Sequence, residues 1–496
     1  MDPQKRKTFI TDAITIRETM RVIDESGLGI ALIVDGQGRL LGTVTDGDIR
    51  RAILAGKDLE SPIREVMNRT PIVVNPETDM QSVRRAFLDS TLKHIPVADE
   101  QGHIVDLLLV SELLAVPLST PDITAKEIEA VSGVLRTPHL SLGPKVYEFE
   151  EKIASYAERR YAVVVNSGTS GLHLVVRALG LGRGDEVITT PFSFIASSNC
   201  LLYEDVTPIF VDIDPRTYNL DPSHIEAAIS PRTRAILAVD VFGQPAQYDA
   251  ISELAERHSL ALIVDSCESI GAEFMGRRAS AFGVASVFAF YPNKQITTGE
   301  GGAIVTDSGH LAALCRSMRN QGRAEGGGWL CHERLGYNYR LPDICCALGI
   351  VQLERIDDIL KMRQNVAEAY YEALAGIEGI HLPYVDPRTS RMSWFVYVIR
   401  LAEEYSRQDR DGVLQRMRAA GIGVNNYFPP IHLQPFYREQ FGFQEGDYPI
   451  TERVSARTIA LPFHNKMAHE DCRRIAQRLK GALEESGVLI ASHWKG

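Results

Sequence analysis

The first 115 residues contain the same hydrophobic pattern twice, with the two copies 64 positions apart. In each copy a short apolar run reaches an aspartate, a glycine turn follows, and a second apolar run begins, which predicts a β-hairpin. A helical pattern precedes each hairpin and a short helix follows it. Two units of this size bury their apolar faces against each other, so residues 1–115 are predicted to form an α+β pair. The hairpins begin at Ile30–Arg39 and His94–His103, the preceding helices cover Ile16–Ile23 and Met80–Phe87, and the following helices cover Asp48–Leu54 and Ser111–Leu114.

Residues 116–123 interrupt the pattern with Pro117 and Pro121, and we interpret them as a linker. Beyond them, apolar runs recur every 22 to 27 residues with helical stretches between, which predicts βαβ units and a mostly parallel sheet. A long helical stretch, Val351–Gly376, leads into a mixed segment. We therefore predict a large α/β domain over 124–375 and a small α+β subdomain over 376–496. The predicted strands begin near Ala162, Glu186, Pro208, Ala235, Leu260 and Ala285.

Composition narrows the class of protein. The chain has 496 residues, 45% of them hydrophobic and 24% charged, which is ordinary for a globular protein. Its formal net charge of −11 argues against a general nucleic-acid binder. No apolar run is long enough to cross a membrane, and the start lacks the apolar core of a secretory signal. Seven cysteines without a CxxC pair indicate neither a disulfide framework nor a metal site, so a cytoplasmic protein is expected.

Three features of the large domain could carry chemistry. Asn166–Leu172 follows a strand and opens a helix predicted over His173–Leu179, and its small residues are typical either of a phosphate-binding turn or of a plain helix cap. Asp265 ends an apolar strand, where it could also be only a loop anchor. Lys294 follows the apolar run Phe288–Tyr291 and could be either a surface lysine or an amine that reacts with a carbonyl group.

The order of these three features along the chain favours the functional interpretation of each over the structural one. Pyridoxal 5′-phosphate (PLP) needs N–H donors for its phosphate, a carboxylate for its protonated ring nitrogen and an amine for its aldehyde. A phosphate-binding turn, a strand-end aspartate and a downstream lysine supply these groups. The sequence therefore indicates a PLP site.

The stretches that carry these three features also resemble a known protein family. The chain resembles the DegT/DnrJ/StrS family of nucleotide-sugar aminotransferases over about residues 122–485, most of its length. The resemblance implies the fold-type I PLP-transferase architecture, a mostly parallel sheet between helices with a small C-terminal α+β subdomain. The matching stretches are Leu140–Glu150, Asn166–Leu172, Pro191–Ala196, Val264–Ala272, Phe290–Gly302, Gly336–Arg340 and Phe428–Tyr437.

The resemblance also implies roles for single residues. Lys294 would bind the PLP aldehyde and act as general acid and base, and Asp265 would pair with the ring nitrogen. Phe194 would stack on the ring. The phosphate would be held by a turn and by an asparagine from the neighbouring subunit, which implies a homodimer with shared sites. The phosphate-binding residues would be Gly168, Thr169, Ser170 and, from the neighbouring subunit, Asn338.

Two positions depart from the family pattern. Glu268 stands where the family commonly has glutamine, near the phenolic oxygen of the cofactor, so this carboxyl group would have to be protonated or turned away. Ala289 stands where the family often has a phosphate-binding serine. Lys294 itself favours transamination, because relatives with histidine at that position are dehydratases.

The expected reaction is transfer of an amino group, with L-glutamate as donor, to a nucleotide-linked keto sugar. The resemblance favours a 4-keto-6-deoxyhexose, as in GDP-perosamine formation for bacterial surface polysaccharides. Tyr427, His432 and Arg340 are candidates for contacts with this substrate, although a lone histidine is more often structural. The alternatives are a PLP-dependent sugar dehydratase and a nucleotide-gated scaffold without catalysis.

The N-terminal repeat resembles a pair of CBS domains. Its motif Gly42–Arg50 would offer the hydroxyl group of Thr45 to a phosphate and the carboxylate of Asp48 to a ribose, as in a sensor of adenine nucleotides. The second copy has Leu109 and Glu112 at the matching places, which indicates a degenerate site. The alternative is a purely structural dimerisation module with no ligand.

Overall fold

The computed structural model describes residues 2–78, 83, 92–109, 115–324 and 331–487. The chain divides into two compact units, Met1–Val116 and Pro117–Gly496. Within the described residues, no helix has both the length and the apolar character needed to cross a membrane. Most of the second predicted helix before a hairpin and all of Ser111–Leu114, including Glu112, lie outside the described residues.

The N-terminal unit contains both predicted hairpins. Strands β2 and β3 pair antiparallel, as do β4 and β5, and β1 adds to β2 in parallel. The helix Ile16–Ser26 begins with a capping box between Thr15 and Glu18 and ends at Gly27, whose φ of +64° suits glycine. The strands are β1 Phe9–Ile10, β2 Ile30–Val34, β3 Leu40–Thr45, β4 His94–Ala98 and β5 Ile104–Leu109. The α-helices are Pro3–Arg6, Ile16–Ser26 and Asp46–Leu54.

The C-terminal unit is built on a seven-stranded sheet in the order β6-β14-β13-β10-β9-β7-β8. All of its strands run parallel except β14, which is antiparallel to both neighbours. The mostly parallel sheet predicted from the spacing of apolar runs is thus confirmed. Its strands are β6 Tyr161–Val165, β7 Glu186–Thr189, β8 Thr207–Phe210, β9 Thr233–Val239, β10 Ala261–Asp265, β13 Ala285–Ala289 and β14 Gly302–Thr306.

Helices cover both faces of this sheet. Val163 and Val165 pack on one face with residues of the helix Gly168–Ala178, and Ala162 and Val164 pack on the other with residues of Pro144–Tyr156. The alternation follows from the two-residue period of a strand. The α-helices are Ala125–Leu135, Pro144–Tyr156, Gly168–Ala178, Ala196–Leu202, Tyr248–Arg257, Gly309–Arg319, Asp343–Glu354 and Ile356–Leu374.

Two helix predictions need correction. The helix expected from His173 begins at Gly168, because the Ser167 hydroxyl accepts a hydrogen bond from the Ser170 N–H and caps the first turn earlier. The single helical stretch expected over 351–376 is the end of one helix, Asp343–Glu354, followed by a second, Ile356–Leu374.

The C-terminal part forms a small α+β region, as predicted. Its sheet is antiparallel in the order β15-β17-β18, and a second small sheet, β12-β11-β16, joins residues before and after the long helices. The strands are β11 Glu273–Phe274, β12 Arg277–Arg278, β15 Ile380–His381, β16 Thr389–Arg391, β17 Tyr397–Leu401 and β18 Thr458–Leu461. The α-helices are Arg407–Ala419, Pro435–Phe441, Pro449–Ser455 and His469–Glu485.

A buried charge cluster fixes the edge of the large sheet. Glu150 accepts hydrogen bonds from the Val164 N–H and from the guanidinium groups of Arg316 and Arg319. Arg319 in turn donates to the Val164 carbonyl oxygen. The side chains of Glu150 and Arg319 are only 6% and 5% exposed, so removal of either partner leaves an uncompensated charge in the interior.

We expect Glu150→Ala to lower the free energy of unfolding by about 3–5 kcal/mol, because it leaves the buried Arg319 guanidinium without its carboxylate partner. Glu148→Ala is the matched control on the same helix. Its partner Lys145 is solvent-accessible, so the loss should stay below about 1 kcal/mol. Denaturant unfolding of both variants measures the difference, and equal losses would contradict a structural role for the Glu150 cluster.

Candidate active site

A cavity of about 650 Å³ lies at the carboxyl ends of the central strands. It is lined by the ends of β9, β10 and β13, by the first turn of the helix Gly168–Ala178 and by a segment of the small region. Its size is in the range of small-molecule sites. The sequence candidates among its lining residues are Gly168, Thr169, Phe194, Asp265, Glu268, Lys294 and Tyr427.

The first helical turn presents backbone N–H groups to this cavity. The N–H groups of Gly168 and Thr169 belong to the four at a helix start that lack a partner within the helix. The Ser170 hydroxyl is only partly available, since it donates to the side-chain oxygen Oδ1 of Asn166 over 2.6 Å. A Cβ at Gly168 would lie 2.8 Å from both the Ala289 Cβ and the Cys267 sulfur, so only glycine allows this approach.

Asp265 supplies a buried carboxylate at the end of β10. Its Oδ2 accepts a hydrogen bond from the Ser197 hydroxyl over 2.7 Å, and its Oδ1 accepts from the Cys267 N–H over 3.1 Å. Ser193 continues the chain of hydroxyl groups, 2.8 Å from Ser197. These donors stabilise the carboxylate and hold it in one orientation at the cavity wall.

The neighbouring strand-end aspartate, Asp240, has a different role. It is fully buried, and burial raises the pKa of its carboxyl group to about 6. Its oxygens accept from the hydroxyl groups of Tyr248, Ser266 and Ser269 and from the Ala246 N–H. Asp240 is absent from the described cavity lining and anchors the loops around the strand end.

Lys294 brings an amine to the same cavity. Its Nζ lies 3.5 Å from Oε1 of Glu268 and 3.9 Å from the ring centroid of Phe395, and the side chain is 13% exposed. Glu268 is also held from the other side, because its Oε2 accepts the Phe242 N–H over 2.9 Å. Burial raises the pKa of the Glu268 carboxyl group, while the nearby Lys294 charge opposes that rise.

Aromatic residues form the outer part of the cavity. Phe194 is 60% exposed at the rim, where its ring is available to a ligand. Tyr427 stacks on Phe428 and lies parallel to Phe395. Burial raises the pKa of the Tyr427 hydroxyl group, so this group stays protonated and can donate a hydrogen bond.

Four sequence candidates for this site lie outside the described lining of the cavity, namely Ser170 of the helix start and three residues from other segments. His432 is fully buried, and its Nε2 lies 3.0 Å from the Glu452 carboxylate, which makes it a structural group rather than a substrate contact from the same chain. Arg340 donates to the Asn320 side chain over 3.1 Å. Asn338 is exposed, and its carbonyl oxygen accepts a hydrogen bond from the Asn166 side chain at 3.5 Å.

A polar network that the sequence did not reveal supports the segment carrying Asn338. The His173 ring lies 2.7 Å from the Glu204 carboxylate and 3.1 Å from the Tyr339 hydroxyl. The Tyr337 hydroxyl also donates to Glu204, and the rings of Tyr337 and Tyr339 stack with centroids 4.8 Å apart. The network ties this segment to the helix that begins at Gly168.

Sequence reasoning missed three other residues of the site. Ser197 lies in the first turn of the helix Ala196–Leu202 and Ser193 in the loop before it, so no regular spacing marked their shared hydroxyl chain. Phe242 and Phe395 contact Glu268 and Lys294 only through the fold, and no local pattern marks them. Among the residues that the structure describes, no group of three or more His, Cys, Asp or Glu side chains could hold a metal ion.

Known proteins share this architecture. Residues 121–480 match the sequence profile of the DegT/DnrJ/EryC1/StrS aminotransferase family, and residues 4–55 and 63–119 match that of the CBS domain. The chain is 36% identical to GDP-perosamine synthase of Caulobacter vibrioides over 376 residues, 75% of this chain and all of that protein. It is 35% identical to the spore coat polysaccharide biosynthesis protein SpsC of Bacillus subtilis over 374 residues, 73% of this chain and 96% of SpsC.

A solved structure agrees with the sequence relatives. The chain superposes on DesV of S. venezuelae with a TM-score of 0.68 and 35% identity, over 74% of this chain and 95% of DesV. The aminotransferases of this fold use PLP. The chain therefore belongs to the DegT/DnrJ/EryC1/StrS aminotransferase family, preceded by CBS domains, and is a PLP-dependent sugar aminotransferase of fold type I.

Proposed function

We propose that this enzyme transfers the amino group of L-glutamate to a 4-keto-6-deoxyhexose carried by a nucleoside diphosphate, for synthesis of a bacterial surface polysaccharide. The observation that carries the proposal is the meeting of Lys294, Asp265 and the helix start at Gly168 in one cavity. The substrate class rests on the names of two relatives, a GDP-perosamine synthase and a spore coat polysaccharide protein.

The cavity residues fit PLP as a bound group. The helix start offers N–H groups and the Thr169 hydroxyl to a phosphate, and the absence of a side chain at Gly168 lets this turn lie close to Ala289 and Cys267 at the strand ends. The buried Asp265 carboxylate suits a protonated ring nitrogen, and Phe194 offers a ring face. When bound, PLP supplies an electron sink that makes the carbon bearing the amino group acidic.

The protein then has to bind and orient the substrate and to move a proton. Lys294 is the group in the lining that can exchange a proton with a neighbouring carbon, because its flexible stem carries the amine into the cavity. The hydrogen bond from Ser197 holds the Asp265 carboxylate in one position at the cavity wall. Tyr427 lies in the segment that closes the cavity and is proposed to donate a hydrogen bond to the sugar.

The charge of the lining supports a shared site. Among the described lining residues Lys294 is the one cation, beside the acids Asp265, Glu268 and Glu300. Glutamate and a nucleoside diphosphate both bring negative charge, so further cations and donors have to come from outside this set. We propose that a second copy supplies them from the segment of Asn338 and Arg340, in a homodimer.

The CBS pair is proposed to sense an adenine nucleotide and to regulate the transferase. Thr45 and Asp48 lie together at the start of the helix Asp46–Leu54, and the Thr45 hydroxyl donates to the Asp48 carboxylate over 2.7 Å. The second Asp48 oxygen accepts from Arg51 over 2.6 Å. A hydroxyl group, a carboxylate and a cation within one helical turn suit a phosphorylated ribose.

A panel of keto-sugar nucleotides incubated with glutamate and analysed by mass spectrometry tests the reaction. We expect an aminated product from a 4-keto-6-deoxy substrate, and Lys294→Ala should reduce its rate at least about 10⁴-fold while circular dichroism stays unchanged. Lys152→Ala, which removes a partner of Glu354 on the surface, is the control and should retain activity. A dehydrated sugar would support the dehydratase alternative, and colourless protein that cannot take up PLP would support the scaffold.

Hybrid dimers test the shared site. Asn338→Ala should weaken PLP binding about 10- to 100-fold, since a hydrogen bond to a charged group is lost. Mixed dimers of Asn338→Ala with Lys294→Ala should regain one tight site, because Lys294 and Asn338 then meet from different chains. Fluorescence titration of PLP measures this recovery. If hybrids bind no more tightly than Asn338→Ala alone, the two residues act within one chain and the proposal fails.

Calorimetric titration with ATP, AMP and CMP tests the CBS site. We expect one adenine nucleotide to bind, and Asp48→Ala to weaken it at least about tenfold through loss of the carboxylate. Because this substitution also removes a helix cap, Glu18→Ala is the matched control, as it breaks the capping box of the preceding helix. No heat with any nucleotide, or equal weakening by both variants, would contradict the assignment.

A further inference from the structure

Glu268 is the one carboxyl group of the described lining that contacts Lys294. It is 6% exposed, with Oε1 3.5 Å from the Lys294 Nζ. A carboxylate that is buried and close to an amine can exchange a proton with it directly. Glutamine, the residue that the family resemblance leads one to expect at this position, has no ionisable group and therefore no such capacity.

The fold holds Glu268 in place rather than letting it turn away. Phe242, which donates its N–H to Oε2 of Glu268, has a φ of +58°, a conformation rare for residues with a side chain. The next residue, Gly243, has a φ of +92°, and a Cβ there would lie 1.7 Å from the Ser393 carbonyl oxygen. Close packing therefore fixes this turn, and with it the N–H that orients the carboxyl group.

The groups around Glu268 leave it with one positive partner. Burial raises the pKa of Glu268 and the nearby Asp265 adds to that rise, while Lys294 and the hydrogen bond from the Phe242 N–H lower it. Cys267 and Tyr427 face the same carboxyl group, and the pKa values of their thiol and hydroxyl groups are raised, so both remain uncharged. If Lys294 loses its positive charge, the ionised Glu268 has no counter-ion among these groups.

We infer that Glu268 takes the proton that Lys294 must lose before its amine can attack the aldehyde carbon of PLP, and that it stays protonated in the loaded enzyme. The proton moves from Nζ to Oε1, so that an ammonium and a carboxylate become a neutral amine and a carboxylic acid. With PLP bound, the neutral amine would form a double bond to the aldehyde carbon as the carbon–oxygen double bond breaks, and the two amine hydrogens would leave with the aldehyde oxygen as water. The inference rests on the proposed binding of PLP at Lys294.

The protonated form also removes a repulsion. The resemblance to the family places the phenolic oxygen of the cofactor near this position, where a carboxylate would repel it. A carboxylic acid offers an O–H donor instead, as the amide N–H of glutamine would. Glu268 thus performs the hydrogen bonding expected of glutamine and adds a site that stores a proton.

Infrared difference spectroscopy tests the proton transfer without an activity assay. Spectra of PLP-loaded minus PLP-free enzyme at pH 8 should gain a protonated-carboxyl C=O stretch equivalent to one group per chain, which shifts in heavy water. Glu268→Gln should lose this gain completely. Glu300→Gln, which removes a carboxylate from the same lining without a described contact to Lys294, should keep it.

A second comparison needs no cofactor. PLP-free Lys294→Ala should show the protonated-carboxyl band at pH 8, because Glu268 has lost its counter-ion, and Lys294→Ala/Glu268→Gln should lack it. The inference is wrong if loaded wild-type enzyme gains no such band, or if Glu268→Gln keeps the gain. Failure of wild-type enzyme to take up PLP would instead overturn the proposed function, and the Lys294→Ala comparison would still decide whether Glu268 holds a proton.

Discussion

The close approach of one helix to the sheet determines the geometry of the whole site. The helix Gly168–Ala178 starts directly above β13 and β14, where a Cβ at Gly168 or Gly302 would come within 2.8 Å of neighbouring atoms, and one at Gly171 would press on Val287. Since larger residues would lift the helix start, these glycines set the distance between its N–H groups and the strand ends. An anion at that turn therefore lies beside both the end of β10 and Lys294.

Much of the fold could be predicted because buried parallel strands and helix signals are local. The strand positions followed from apolar runs, and Asp265 and Lys294 followed from where those runs end. The sequence placed the start of the helix Gly168–Ala178 too late. The small residues after Ser167 have a weak helix preference, but the Ser167 cap stabilises the first turn in spite of it. The break at Arg355 has no proline or glycine to signal it.

The parts of the site that escaped prediction are those made by tertiary contact. Phe242 contributes only a backbone N–H, and it does so through a turn held by Ser393 far along the chain. His432 was a substrate candidate for which a structural role was the more common expectation, and only the fold shows that it is buried beside Glu452. The orientation of side chains at loop ends depends on such contacts, which a single sequence does not encode locally.

The two positions that the resemblance marks as unusual, Ala289 and Glu268, affect different parts of the site. The methyl group of Ala289 and the sulfur of Cys267 fill the space beneath the turn, so the turn rests on apolar atoms and not on a hydroxyl donor. Under the proposed function, binding of a phosphate would depend more on the N–H groups of the helix and on donors from a second chain. Whereas Ala289 lacks a donor group, Glu268 adds a carboxyl group to the lining. The charge of this group has to be neutralised for an anionic ligand to enter. A proton passed from Lys294 achieves this without a further cation, so the amine and the carboxyl group are best regarded as one titrating pair.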